Sequence, residues 1–382
     1  MKIKIAIFNI TGGGMSGGYR KYLQNVIPRM AVHPDVEAIL CASPRSINVQ
    51  DWFEPLSNVK FVDCRPFRFL GSKLDPGLKK HLESFSPDVI FIPLERFFRF
   101  DNVPVVNMVQ NMEPIVGVSG NPFIERFQNW VRRTEGKRSL SRTDRVIVPS
   151  EYVRDFLFKR WKVPGEKIGL VYHGIESFQK DISQPQVIPK GWDGRFLFTA
   201  GSIRPARGLG DLLQALKYLS ENSSNISNLV IAGEAIPRMR KYKKQLEDWI
   251  QKNNLFSEIC WAGHLSKQEM GWCYKNCQAF IITSRVESFG LIAVEAMAHG
   301  CICVSSDSSC LPEIFDKAAV FYPTQRPKIL AQKINEVLNW PKEKKEEMRR
   351  QAIIRASQFS WDKCAKQTVV ELKKSINDST FY

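Results

Sequence analysis

The apolar positions of the chain follow two periods. Short β-branched or alternating runs recur between longer stretches whose apolar residues return every three or four positions. In the first half the runs 2–9, 36–42, 59–63, 88–92, 103–108 and 167–173 predict strands, and DRVIVPSEYVRDFL, from Asp144, opens with another. In the second half RFLFTAGS from Arg195 and the runs 228–233, 259–263, 279–283 and 301–305 do the same. Between them, 19–30 has helical spacing through Tyr22, Leu23, Val26 and Ile27. In the stretch 121–145, Phe123, Ile124, Phe127, Trp130 and Val131 share one helical face. Ser150 is placed as an N-cap for a helix that follows the VIVP run. Further helices are predicted over 211–219, 242–252, 267–276, 327–339 and 342–358, with a last one begun by Phe359-Ser-Trp361 and running to about Ile376. Strands alternating with helices imply parallel sheets covered by helices. Residues 177–194, rich in Gln, Pro, Lys and Gly, have a linker's composition and separate 1–176 from 195–359.

The most informative stretch is 279–313. A doubly buried strand (279–283) leads into the polar turn 284–288. FGLIAVEAMAH then sets Leu291, Val294 and Ala298 on one side of a helix, Gly300 stops it, and a second strand follows. Such a β-α-β unit turns backbone N–H groups at a helix N-terminus toward the carboxyl end of a strand, where they suit a phosphate. Two carboxylates mark it, Glu287 in the turn and Glu295 inside the helix. On residue type alone they read as well as a solvated turn acid and a buried structural acid.

A chain of 382 residues has room for two or three domains. No run of about 18 apolar residues is present, so no membrane-spanning helix is expected. The start, MKIKIAIFNITGGG, reads as a first strand rather than a signal peptide. Nine cysteines form no CxxC pair, and Cys301 and Cys303 fall in a buried run as small hydrophobes; a reduced, cytoplasmic protein follows. The net charge of +16 suits nucleic acid, anionic lipid or anionic small substrates alike. Its densest stretch carries Arg132, Arg133, Lys137, Arg138 and Arg142 behind the aromatic face, which fits an interfacial helix on an anionic membrane or an amphipathic helix with a solvated basic rim. Residues 12–17 satisfy G-x-G-x-x-G, but the second strand ends in Ser43-Pro44 with no acid for a ribose, which counts against a dinucleotide site. His173 has no nearby Cys, His or Asp, so a structural or hinge role is expected over metal ligation.

Glu287-Ser-Phe-Gly-Leu-Ile-Ala-Val-Glu295, followed by AMAHG, resembles the E-x7-E signature of the large family of retaining GT-B glycosyltransferases that use nucleotide sugars (glycosyltransferase family 4, or group 1). The resemblance covers nearly the whole chain, specific from Arg195 onward and looser before Val146. It implies a GT-B fold: an acceptor-side Rossmann-like domain over 1–176 with a crossover helix from 360–382, and a donor-binding one over 195–359. GSIRPARG resembles the family's diphosphate-gripping Gly-Arg-x-x-x-x-Lys-Gly loop, with Gly201 and Gly208 matching and Arg207 at the lysine position. Ser202 departs from the arginine often found there, and Arg204 is placed to supply that charge. Gly17 and Gly18 match the Gly-Gly pair before the first helix. Gln110 and Asn111 stand where many members have a histidine, and are sugar-contacting candidates. His264 and Leu265 offer backbone groups to the base, Phe289, Gly290 and Leu291 to the phosphates, as does the turn Ser308-Ser309-Cys310. By the same resemblance Glu295 would hold the ribose and Glu287 the donor sugar. Arg204, Arg207 and Glu287 would act in catalysis.

The implied reaction is retaining transfer from a UDP- or GDP-linked sugar to a glycan, lipid-linked or small-molecule acceptor. No D-x-D occurs, and neither a metal nor another cofactor is expected. A GT-B epimerase keeps the fold and changes the reaction. A nucleic-acid-binding protein would explain the charge, but no basic-aromatic module is recognisable and no nucleic acid partner is expected.

Overall fold

The computed structural model describes residues 2–10, 17–66, 75–176, 182–222 and 228–379. The GGGMS loop, with all of the G-x-G-x-x-G match but Gly17, lies outside them, as does the start of the expected linker. The chain divides into two compact units. One comprises 1–115, 130–174 and 360–382, the other 116–129 and 175–359. Residues 116–129, which the sequence reading places in the first domain, group with the second unit.

The first unit is built on seven parallel strands: β1 (Ile3–Phe8), β2 (Val36–Pro44), β3 (Val59–Cys64), β4 (Val89–Ile92), β5 (Val105–Met108), β6 (Arg145–Val148) and β7 (Ile168–Leu170). Their order is β3-β2-β1-β4-β5-β6-β7. The central strands β4, β5 and β6 are buried along their whole length, and Ala6, Phe8, Leu40, Ile90 and Ile92 join one buried core. The helices Gly17–Ala31 and Trp361–Ser379 pack on each other, and the latter also lies against β4, β5 and β6. The end of the chain thereby closes a sheet begun at its start.

The second unit holds β8 (Phe196–Ala200), β9 (Asn228–Ala232), β10 (Ile259–Gly263), β11 (Ala279–Ile282), β12 (Cys303–Ser306) and β13 (Ala319–Tyr322), all parallel, in the order β10-β9-β8-β11-β12-β13. In both sheets the order reverses beside the first strand, between β1 and β4 and between β8 and β11. Open α/β sheets bind ligands at the carboxyl ends of such a switch point.

Several boundaries move for local reasons. The strand expected from Cys301 begins at Cys303, because Gly300 takes φ +69° and the Cys301 N–H turns back to the Ala296 carbonyl at 3.0 Å. The strand expected over 167–173 shortens to Ile168–Leu170, since 165–167 coil into a 3-10 turn. The helix expected from Asp211 starts at Leu209, just after the left-handed Gly208. The strand β13 and the helix Pro76–Phe85, capped by the Asp75 side chain, are additions to the sequence reading.

Candidate active site

At the carboxyl ends of β8 and β11 the second unit opens a pocket lined by Thr199, Gly201, Arg207, Thr283, Ser284 and Ile292, among others. The backbone beneath it is close-packed. The Gly201 N–H bonds to the Ala232 carbonyl at 3.0 Å and the Gly233 N–H to the Gly263 carbonyl at 2.6 Å. A Cβ on Gly233 would stand 2.0 Å from the Gly201 carbonyl oxygen, so that position admits glycine alone.

After β8 the chain runs extended through Arg204 and coils into the turn Pro205–Arg207, which Gly208 ends at φ +65°. A Cβ on Gly208 would lie 2.1 Å from the Thr283 carbonyl oxygen. Three further contacts fasten this loop to the turn after β11. The Thr283 hydroxyl donates to the Arg207 carbonyl at 2.7 Å. The Arg285 N–H bonds to the Ala206 carbonyl at 2.8 Å. The Arg285 guanidinium meets buried Asp211 at 3.3 Å. Burial raises the Asp211 carboxyl's pKa while Arg285 opposes the shift.

Above this scaffold Arg207 forms an ion pair with Glu287 and donates to the Ser284 hydroxyl at 3.3 Å. Ser284 donates to the same Glu287 oxygen at 2.9 Å, and the Glu287 N–H bonds to the Ser309 hydroxyl at 2.9 Å. Both charged side chains keep part of their surface open, 26% for Arg207 and 12% for Glu287. Two catalytic candidates eighty residues apart in sequence thus hold one another in place. Sequence reasoning had Ser284 only as part of the polar turn and Ser309 only as backbone facing the phosphates, so neither hydroxyl was singled out. The three-residue step from Ser284 to Glu287 was the only signal for the first.

The helix Leu291–Ala298 begins at Gly290, whose φ of +83° brings the chain sharply into it. The Gly290 carbonyl accepts from Ala293 at 2.8 Å. Phe289 offers only backbone here, since its ring is buried edge-on against Phe359. Glu295 is half-buried, and the Tyr274 hydroxyl donates to it at 3.2 Å. Burial and the neighbouring Glu295 hold the Tyr274 hydroxyl well above its ordinary pKa, so it stays a donor. Tyr274 also lies outside the motifs and carried no sequence signal. Ser202 and Arg204 are half-buried, His264 is exposed and Leu265 is buried. The half-buried Gly263, which ends β10 just before this pair, takes φ +65°.

The remaining candidates belong to the first unit. Gly17 and Gly18 open the helix Gly17–Ala31, and nothing stands within 4 Å of where a Gly17 Cβ would be. The Gln110 N–H bonds to the Glu95 carboxylate at 3.0 Å, and the Asn111 side chain accepts from the Glu113 N–H at 3.0 Å. Glu95 is another residue the motifs did not reveal. Burial raises its carboxyl's pKa, while its own N–H and those of Gln110 and Asn111 stabilise the ionised form.

Comparison with known proteins fits this arrangement. Residues 17–177 match the description Glycosyltransferase Family 4, and residues 181–355 match Glycosyl transferases group 1. An uncharacterized glycosyltransferase of Methanocaldococcus jannaschii is 25% identical over 60% of this chain and 59% of its own length. The lipopolysaccharide 1,2-N-acetylglucosaminetransferase of Salmonella typhimurium is 26% identical over 60% of this chain and 62% of its own. The chain therefore spans less than two thirds of either curated relative. The structure of Anabaena HepE in complex with UDP and glucose superposes with a TM-score of 0.72 over 97% of this chain and 99% of that one, at 18% identity. Two parallel α/β sheets, the shared GT-B fold and family matches over both halves lead to one conclusion: the chain belongs to the group 1, family 4 glycosyltransferases.

Proposed function

We propose that this protein is a retaining glycosyltransferase that moves a sugar from a UDP- or GDP-linked donor to an acceptor hydroxyl, in polysaccharide, lipopolysaccharide or glycolipid biosynthesis. The observation that carries the reading is the Arg207–Glu287–Ser284 cluster beside Gly201, at the switch point of the second sheet. Related proteins named for lipopolysaccharide N-acetylglucosamine transfer and for complexes with UDP and glucose support the donor class.

In this reading the bond from the anomeric carbon to the diphosphate breaks, and a bond to the acceptor oxygen forms on the same face. The acceptor proton passes to a phosphate oxygen. Arg207 and Arg204 meet the charge that grows on the diphosphate, with the backbone at Phe289, Gly290 and Leu291. One such preorganised group is worth about 10²–10³ in rate. Glu287 orients the donor sugar and Glu295 holds the ribose, and Gln110 and Asn111 are the sugar-contacting candidates. Neither metal nor other cofactor is assigned a part, which the missing D-x-D supports. EDTA should then leave most of the transfer rate intact. Loss of activity on chelation that Mg²⁺ or Mn²⁺ restores would reassign the leaving group's charge.

The acceptor is a glycan, lipid-linked or small hydroxyl compound. The aromatic and basic helix Phe123–Arg142 favours one presented at the cytoplasmic face of an anionic membrane. No helix among the described residues is long and apolar enough to cross a membrane. The test is to incubate the protein with UDP- and GDP-sugars and acceptor glycans and read the product's anomeric signal by NMR. A product of unchanged configuration is expected. An inverted product would end the retaining mechanism, and a free epimer released without acceptor would make the protein an epimerase.

A further inference from the structure

The helix Phe123–Arg142 has one face set into the protein and one turned outward. Glu125, Asn129, Gly136 and Leu140 are buried, at the four- and seven-residue steps of a single helical side. A Cβ added at Gly136 would lie 3.3 Å from the Glu95 Cβ, so the packing there is close. The helix carries two acids, and both are engaged away from solvent: Glu125 pairs with Arg238 at 3.6 Å, and Glu135 pairs with Arg96.

The opposite side begins with large apolar groups. Phe123, Ile124, Phe127 and Trp130 are 81%, 65%, 58% and 62% exposed. Beyond them the exposed positions turn cationic at Arg133, Lys137, Arg138 and Arg142, with Arg126 beside the aromatics. The outward surface is therefore apolar at one end, positive at the other and free of acids. Scattered exposed apolar residues need no explanation, but four on one side of one helix mark an interaction surface.

We infer that this face docks on an anionic lipid bilayer. The aromatic end enters the boundary between headgroups and acyl chains, and the cations rest against the headgroups. The charge pattern selects this occupant. A folded protein partner would have to offer an apolar pocket and an acidic patch at one fixed spacing, whereas an anionic bilayer offers both at any lateral position. The inference deepens the membrane part of the function proposed above, and it stands on the helix rather than on the donor pocket.

The full chain is sedimented with vesicles of phosphatidylcholine alone and of phosphatidylcholine mixed with phosphatidylglycerol. Binding to the mixed vesicles only, weakened by added salt, is expected. Each cation near an anionic surface is worth about fivefold in binding, so replacing Arg133, Lys137, Arg138 and Arg142 by Ser should cost at least about a hundredfold. Phe123→Ser with Phe127→Ser and Trp130→Ser should cost at least about tenfold, because these side chains no longer leave water. Both sets replace exposed side chains, and circular dichroism should be unchanged. No binding to anionic vesicles at low salt overturns the inference. So does binding that neither variant weakens, or a dimer that the aromatic variant dissociates in the absence of vesicle binding. Calorimetric titration with UDP and GDP, run on the same proteins, reads the donor site independently. Nucleotide binding without vesicle binding defeats this inference alone, and the reverse defeats the donor reading alone.

Discussion

Arg207 and Glu287 each have a charge whose surroundings the other supplies. Arg207 lines the pocket and pairs with the Glu287 carboxylate, with Ser284 shared by both. Removing either partner leaves a part-buried charge without its counterion as well as deleting a group from the site. Arg207→Ala should lower kcat by about 10²–10³. Glu287→Gln keeps the shape, so it should lower kcat less and loosen Arg207. Because the two act as a unit, the double variant should be little worse than Arg207→Ala, which a double-mutant cycle of steady-state rates would read. Strict additivity would show that the pair does not function together. Gly208 allows a different test. At φ +65°, with 2.1 Å between a would-be Cβ and the Thr283 carbonyl, Gly208→Ala must push apart the two loops that carry the pair. Its melting temperature should fall with a loss of about 2 kcal/mol or more, and activity should fall further than stability alone accounts for.

At the level of elements, the helix Leu291–Ala298 is aligned by what lies behind it. The Tyr274 hydroxyl reaches Glu295 from the helix Lys267–Asn276, so a residue outside the motif sets the angle of one inside it. Tyr274→Phe removes one hydrogen bond to a carboxylate, worth about 1–3 kcal/mol. Under the proposed ribose-holding role it should raise donor KM several-fold or more and leave kcat nearly unchanged. A drop in kcat at constant KM would place Glu295 in the chemistry instead. Elements of this kind were legible where local sequence decides them. The runs at Ile3–Phe8 and Ala279–Ile282 are apolar on both faces, and the stop at Gly300 needs a left-handed residue. The E-x7-E spacing exposed both glutamates for the same reason. Tyr274, Glu95 and the part played by the Ser309 hydroxyl were invisible because their partners stand 15 to 22 residues away along the chain. The strand β13 was missed although its four residues, AVFY, make a run no shorter than Ala279–Ile282, which the motif beside it marks.

Across the whole molecule, the first unit depends on the chain's last helix, and one buried histidine makes that dependence sensitive to acid. Trp361–Ser379 is held by a buried Arg145–Glu371 ion pair, by Lys373 on Asp35 at 2.9 Å and by Arg29 on Asp362 at 2.7 Å. At its start, His173 is enclosed by the rings of Tyr22 and Trp361, with centroids 5.2 Å and 5.8 Å away. A Cβ on the next residue, Gly174, would meet the Trp361 nitrogen at 2.0 Å, which leaves the strand end no room to withdraw. The sequence reading expected a structural or hinge role for His173, and here the ring is packed between two aromatic neighbours. Burial lowers its pKa from the ordinary 6.5 to about 3, because a charged imidazole in this aromatic nest would have no water around it. The folded protein therefore keeps His173 neutral while the unfolded chain takes up a proton as soon as the pH drops below the ordinary value. Above pH 6.5 this residue makes no pH-dependent difference. Between 6.5 and about 3 it removes stability as the pH falls, by about 1.4 kcal/mol per pH unit. Urea unfolding followed across that window should show the slope. His173→Phe retains a ring between Tyr22 and Trp361 but cannot titrate, so its stability should fall less steeply over the same range. If wild type and variant lose stability in parallel, the acid sensitivity lies in the carboxylate pairs along the last helix, and His173 does not contribute to it.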